Sequence, residues 1–178
     1  MGGAILTIGH GNRTLAELLD ALRAHSVTQL VDVRSFPGSR RNPQFGRQEL
    51  ERSLSGGGIA YLWMKDLGGR RPSRPGSPHT GWHVEGFRAY ADYMDTPAFL
   101  AALDELQQLA REAPTAYMCA ERLWWQCHRR LISDALTVRG IEVVHILDAK
   151  KSERHKQTDF LRVENGRLLY SERPVTEE

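Results

Sequence analysis

At 178 residues the chain is long enough for one domain with a sizeable core and too short for two comfortable ones. Its 24 basic residues face 22 acidic ones, a formal net charge of +2 that does not by itself indicate a polyanion-binding protein. Two cysteines cannot build a disulfide framework, and no apolar run reaches the length of a membrane span. The amino terminus has no basic region followed by a hydrophobic core, and Leu6 stands where a myristoylation signal needs Ser or Thr, so a soluble cytoplasmic protein is expected.

Residues 4–8 read as a short apolar strand, followed by the flexible turn Gly9-His10-Gly11-Asn12. Thr14-Leu15-Ala16-Glu17 fits a capping box, and Leu15, Leu18, Leu19 and Leu22 fall on one helical face. Residues 29–33 form a second buried strand ending on Asp32-Val33-Arg34. This strand-helix-strand unit implies a right-handed crossover and a parallel sheet. Its loop lacks the third glycine of a dinucleotide fingerprint. Residues 35–46 are too rich in turn formers for regular structure. A helix of about two turns then starts near Arg47 and stops before Gly56-Gly57-Gly58, with a third strand at residues 59–63. Residues 70–83 read as a long surface loop or flap, and long loops in compact domains are often functional.

Phe87, Tyr90, Ala91 and Met94 mark a helix over residues 86–94. Thr96-Pro97 caps another over 97–111, with Phe99, Leu100, Leu103, Leu106 and Leu109 as its apolar stripe. Residues 115–119 are a strand, and the 3.6-residue period continues from Glu121 towards Arg139 as one long helix closed by Gly140. That period puts Leu123, Trp124, Cys127, Leu131, Ile132 and Ala135 on the apolar face together with Glu121 and His128, and Arg129 and Ser133 on the other side. Cys127 then lies more than a turn along the helix, which argues against a bridge to Cys119. A strand follows at 141–147, then a solvated polar connector at 149–156 and a hairpin turning on Glu164-Asn165-Gly166. The expected architecture is a single three-layer α/β domain over residues 1–178, its core at 4–148, with a mainly parallel sheet and a C-terminal β-hairpin.

Eight arginines and Lys65 lie between Arg34 and Arg74 against Glu49, Glu51 and Asp66, a local positive field attractive to phosphate or carboxylate. Ligands of open parallel sheets bind beyond the carboxyl ends of the strands. His10 and Asn12, Asp32 and Arg34, and Cys119 and Glu121 all follow strand ends, so a shared cleft is expected there, with His128 further along the helix. Glu121 and His128 taken singly read as well as a helix-start carboxylate and a core histidine. A helix start after Cys119 would lower its thiol pKa, though Glu121 opposes that. Zinc is disfavoured because adjacent Cys127 and His128 diverge on a helix and no paired-ligand spacing is present; no metal and no cofactor are expected.

Several stretches resemble the domain-of-unknown-function family 488: residues 7–12 (T-I-G-H-G-N), 32–45 (D-V-R-S-F-P-G-S-R-R-N-P-Q-F), 67–69 (L-G-G), 86–94 (G-F-R-A-Y-A-D-Y-M), 118–121 (M-C-A-E) with 127–129 (C-H-R), and 143–146 (V-V-H-I). The resemblance implies one compact α/β domain and carries the motif residues onto His10, Asp32, Arg34, Arg40, Cys119, Glu121, Cys127, His128 and Arg129. Gly11 departs from the serine that members often carry. The resemblance names no activity.

Three functions compete. In the first, an enzyme acts on a phosphate-bearing, nucleotide-like or nucleic-acid ligand: His10, Asn12, Arg34, Arg40 and Arg129 bind it, and Glu121, His128, Cys119 and Asp32 carry the chemistry. The second is a non-catalytic binding module for nucleic acid or a nucleotide that uses the arginine-rich loop, with Trp63, Trp82 and Phe45 as stacking groups. The third is a thiol enzyme with Cys119 as nucleophile, weakened because Trp125 stands where a C-x-x-x-x-x-R phosphate loop needs arginine.

Overall fold

The structure, a computed structural model, describes residues 3–172. Its main sheet is built from strands β1 (Ile5–Gly9), β2 (Gln29–Asp32), β3 (Ala60–Trp63), β4 (Thr115–Cys119) and β5 (Val143–Ile146), all parallel. A short strand β6 (Ser152–Arg154) runs antiparallel to β5, giving the order β3-β2-β4-β1-β5-β6. Helices α1 (Leu15–Ala24) and α2 (Arg47–Gly56) cover one face. The other carries α3 (Glu85–Tyr93), α4 (Pro97–Glu112) and α5 (Arg129–Val138). This is the expected α/β architecture.

The pleat sorts side chains between the two faces. Ile8, Ala116 and Met118 point into the cluster under α1 and α2, while Ile5, Tyr117 and Cys119 point into the one under α3, α4 and α5. The helix ends behave as their sequences require. Thr14 Oγ1 accepts from Glu17 N–H and the Glu17 carboxylate accepts from Thr14 N–H, closing the capping box. Thr96 accepts from Phe99 N–H, and Gly140 leaves α5 at φ +82°, the left-handed conformation that glycine adopts without strain. Along α4, Phe99, Leu103 and Leu106 are buried, each contributing about 1.5–3 kcal/mol. Leu100 is 43% exposed and lies outside the stripe.

Two polar stretches pack more tightly than their composition implies. Residues 149–156 are not a solvated connector throughout: they contain β6, and His155 is buried with its Nε2 2.8 Å from Asp134 Oδ1. The loop at 70–83 is tied down rather than free to flap. Trp82 lies among the rings of Phe87, Phe160 and Tyr170, and Gly81 N–H donates to Tyr170 O. A Cβ on Gly81 would meet the Phe160 ring at 2.4 Å. That ring precedes the hairpin of β7 (Leu161–Glu164) and β8 (Arg167–Tyr170), whose Asn165 and Gly166 both take positive φ. Among the described residues no helix is long and apolar enough to cross a membrane.

Asp134 anchors the hairpin side, accepting from His155 Nε2–H, Thr158 N–H and Tyr170 O–H. Asp134→Ala strands three buried donors, so it is expected to lower unfolding free energy by on the order of 3 kcal/mol in urea titrations. A variant within 1 kcal/mol of the parent would mean water replaces the carboxylate.

Candidate functional site

The chain leaves β1 and β2 for helices on one face of the sheet and leaves β4 for α5 on the other. Because β4 sits between β2 and β1, these loops part above its carboxyl end. The opening is a cleft of about 850 Å³. His10, Asn12, Arg34, Arg40, Cys119, Glu121 and His128 line it, as do Arg41, Arg70 and Cys127. Asp32 and Arg129 do not; both stand behind the wall.

Asp32 is fully buried and grips Arg34 from below, with Oδ1 2.9 Å from Nε and Oδ2 2.7 Å from the terminal nitrogen. Tyr61 adds a 2.5 Å hydrogen bond to Oδ2. Burial opposes the charge on Arg34, but its hydrogen bonds and attraction to Asp32 outweigh that and keep it cationic. Asp32 is thus a positioning group. His10 stacks on Phe45 at 4.4 Å, and its Nδ1–H donates to the Gly11 carbonyl, leaving Nε2 unprotonated to accept from Arg34 at 3.4 Å. Burial, with repulsion from Arg34, lowers its pKa to about 4. Gly11 has φ +51°, and a Cβ there would stand 3.0 Å from that of Arg122. Glycine therefore suits this left-handed, crowded position.

The stretch after β4 departs from the expected helix. Residues 120–128 form an irregular loop with one 3-10 turn at Trp124–Gln126, Cys127 is extended, and α5 starts only at Arg129. The cause is Arg129 itself. The period placed it on the solvent side, yet it is 1% exposed and turned inward. Its guanidinium donates to the Cys119 sulfur at 3.0 Å, to Thr7 Oγ1 at 2.9 Å and to the backbone carbonyls of Glu121 and Arg122. Carbonyls held this way are lost to a helical ladder. All of its nitrogens are engaged in these bonds, so Arg129 supports the wall instead of meeting a ligand.

Three expectations change as a result. Glu121 is exposed at the rim and is not stacked above His128. Cys119 and Cys127, expected to be far apart, have sulfurs 2.7 Å from each other, both as free thiols. The thiol with the lowered pKa is Cys127, not Cys119. Burial pushes Cys119 well up. Burial also raises Cys127, but the hydrogen bond from Cys119 and the charge and backbone N–H of Arg129 outweigh it, bringing Cys127 down to about 7. His128 donates from Nε2 to the Val33 carbonyl at 2.7 Å, so Nδ1 is bare and 3.5 Å from the Cys127 sulfur. Gly69 packs on that ring; a Cβ there would fall 2.5 Å from Nδ1.

The stacking residues proposed for a binding module are not free. Trp82 and Phe45 are buried, and Trp63 lies under the Arg47 guanidinium at 4.6 Å with its Nε1–H on the Arg34 carbonyl. Among the described residues no three His, Cys, Asp or Glu side chains gather as metal ligands.

The family model for "Domain of unknown function DUF488" matches residues 14–136. The chain belongs to this family. The DUF488 match takes in Arg34, Arg40 and the whole stretch from Cys119 to Arg129, and begins just after His10. No curated protein and no solved structure matches the chain significantly. DUF488 membership thus fixes kinship and leaves activity to be argued from the cleft.

The depressed imidazoles make stability depend on pH. Below pH 6.5 the unfolded chain protonates residue 10, while the folded imidazole resists until about pH 4, so stability falls as pH drops through that window. His145, lowered to about 2, adds in the same direction. His10 alone should remove about 1.5 kcal/mol between pH 6.5 and 5. Urea titrations at both pH values check this, and His10→Asn should flatten the difference by that share.

Proposed function

We propose that the protein is an enzyme acting on a phosphate-bearing ligand, a nucleotide or a nucleic-acid segment, in the cleft at the carboxyl ends of the strands. The observation that carries this is the charge of the lining: Arg34, Arg40, Arg41 and Arg70 face the opening, with Glu121 the one carboxylate among the lining residues. Arg40, Arg41 and Arg70 make no ion pair among the described residues, so their charge is available to a ligand. A cleft of about 850 Å³ falls within the range of about 300–1,000 Å³ typical of small-molecule sites and suits one nucleotide-sized group.

In this reading Arg34, held flat by Asp32, and Arg40 take the anion, as guanidinium forks do with phosphate oxygens. Asn12 stands at the rim beside them. His10 Nε2, His128 Nδ1 and the sulfurs of Cys119 and Cys127 are the groups within the cleft able to accept or move a proton. Glu121 would act on parts of the ligand that reach solvent. The gathering of depressed imidazoles and a low-pKa thiol in one cleft favours chemistry over binding alone. The binding-module alternative keeps one supporting feature: Phe36 is 68% exposed at the cleft, with the Arg70 guanidinium 5.7 Å from its ring, an open platform for a base.

Inorganic pyrophosphate and a short single-stranded oligonucleotide are suitable probes for titration calorimetry. Replacing Arg40 and Arg41 together by alanine should weaken binding of the preferred probe roughly tenfold, about 1.4 kcal/mol, and flatten its salt dependence. Unchanged affinity and salt slope would return these residues to a solvated loop.

A further inference from the structure

Among the described residues the charge on Arg129 has no carboxylate to answer it. Its guanidinium meets a hydroxyl, two carbonyls and a sulfur, and within those residues it makes no ion pair with Asp or Glu. An isolated buried cation costs several kcal/mol, so an anion is expected among its own contacts.

The hydrogen-bond directions show where that anion is not. Thr7 Oγ1 accepts from Arg129, and its own proton can go to His145 Nδ1 at 2.6 Å. His145 Nε2–H then donates to His155 Nδ1 at 2.8 Å, and His155 Nε2–H to Asp134. Each bond in this relay then holds one hydrogen. The Asp134 carboxylate lies at the far end of this relay, already engaged by His155, Thr158 and Tyr170. On the near side, the groups touching Arg129 that can ionise are the two sulfurs. The guanidinium touches Cys119, through Nε at 3.0 Å, while Cys127 accepts from the Arg129 backbone N–H at 3.3 Å. Cys119 can give its proton to the Glu121 carbonyl at 3.4 Å or across the 2.7 Å gap to Cys127, and in the second case the pair's negative charge rests on Cys127. Both cysteines open onto the cleft.

We propose that Cys127 is the nucleophile of this cleft, resting as a thiolate with Arg129 as counter-ion and Cys119 as hydrogen-bond donor, and that its substrate is an anion carrying an electrophilic carbon. The substrate class rests on the reading of the cleft as an anion site; the thiolate does not. In the bond-forming step the Cys127 sulfur bonds to carbon while the bond from that carbon to the leaving group breaks. The leaving group departs with the electron pair and takes its proton from water, and the Cys119 proton stays on its own sulfur. The groups facing Cys127 are Cys119 from β4, Arg129 from the start of α5, His128 just before it, whose Nδ1 at 3.5 Å is an acceptor for the proton the sulfur gives up, and the phenols of Tyr90 on α3 and Tyr117 on β4, both kept neutral by burial. A thiol pKa near 7 agrees with this balance.

The test is alkylation of the native full-length chain by iodoacetamide, which is neutral, and iodoacetate, which is anionic, with the labelled peptide identified by mass spectrometry. Labelling at Cys127 is expected, with a rate that rises through an apparent pKa near 7 instead of about 8.5 for a free thiol. Iodoacetate should gain at least fivefold on iodoacetamide relative to the ratio the two show with glutathione. Cys119→Ala should shift the apparent pKa upward by about one unit and slow labelling at pH 7 several-fold, with its melting temperature recorded to confirm folding. Labelling first at Cys119, no labelling of either sulfur without denaturant, or an apparent pKa of 8.5 or above in the parent overturns the thiolate. A Cys127 that labels with the lowered pKa but at glutathione's reagent ratio upholds the nucleophile and overturns the anionic substrate.

Discussion

A single buried guanidinium organises the cleft end of this molecule. Arg129 joins β1 through Thr7, β4 through Cys119 and the following loop through two carbonyls, while its own backbone begins α5. Burying such a group is costly, and the cost is offset only when every nitrogen is satisfied and the charge is answered. The surroundings accordingly bend to it. The chain after Cys119 gives up helical bonding, Cys127 is brought back beside Cys119, and Gly9 stays a glycine because a Cβ would sit 1.8 Å from the Glu121 carbonyl and 2.7 Å from Arg129. The irregular loop is therefore the shape that a saturated arginine imposes.

This explains why the fold was largely legible in the sequence while the middle of the site was not. Strands, caps and the Asn-Gly hairpin follow from local patterns, since apolar alternation, capping residues and positive φ are decided within a few residues. The convergence of His10, Arg34, Cys119 and His128 followed from strand ends in a parallel sheet. The period from Glu121 to Arg139, however, assumed that an arginine prefers solvent. Arg129 instead finds its partners on Thr7 and Cys119, far away in sequence, and no local pattern carries that. The same blindness hid β6 and the buried His155, because charged residues around them read as a connector. One signal was present: V-V-H-I places a histidine inside an otherwise apolar strand, and such a residue needs a partner. His145 has two, Thr7 and His155.

The two sides of the cleft contribute differently. On the β1 and β2 side, Arg34 is paid in full by Asp32, so it supplies orientation more than net charge. The positive charge not paired with a carboxylate among the described residues comes from Arg40, Arg41 and Arg70, on loops whose side chains reach solvent. On the β4 side the sulfurs and His128 are shielded, where a low dielectric strengthens each interaction and makes each missing partner costly. A ligand spanning both would have its charged part near water and its other end held away from it.

The strand β6 bears on a different matter, the company the sheet keeps. Parallel sheets present a row of unpaired amides and carbonyls at each edge, and such rows template the addition of further strands. Here the β5 side ends in three exposed residues, Ser152, Glu153 and Arg154, too short and too charged to be extended readily by another chain. The polar segment that looked like mere tether is thus a terminator for the sheet, guarding against edge-to-edge association on the side where α5 and the His145 relay lie.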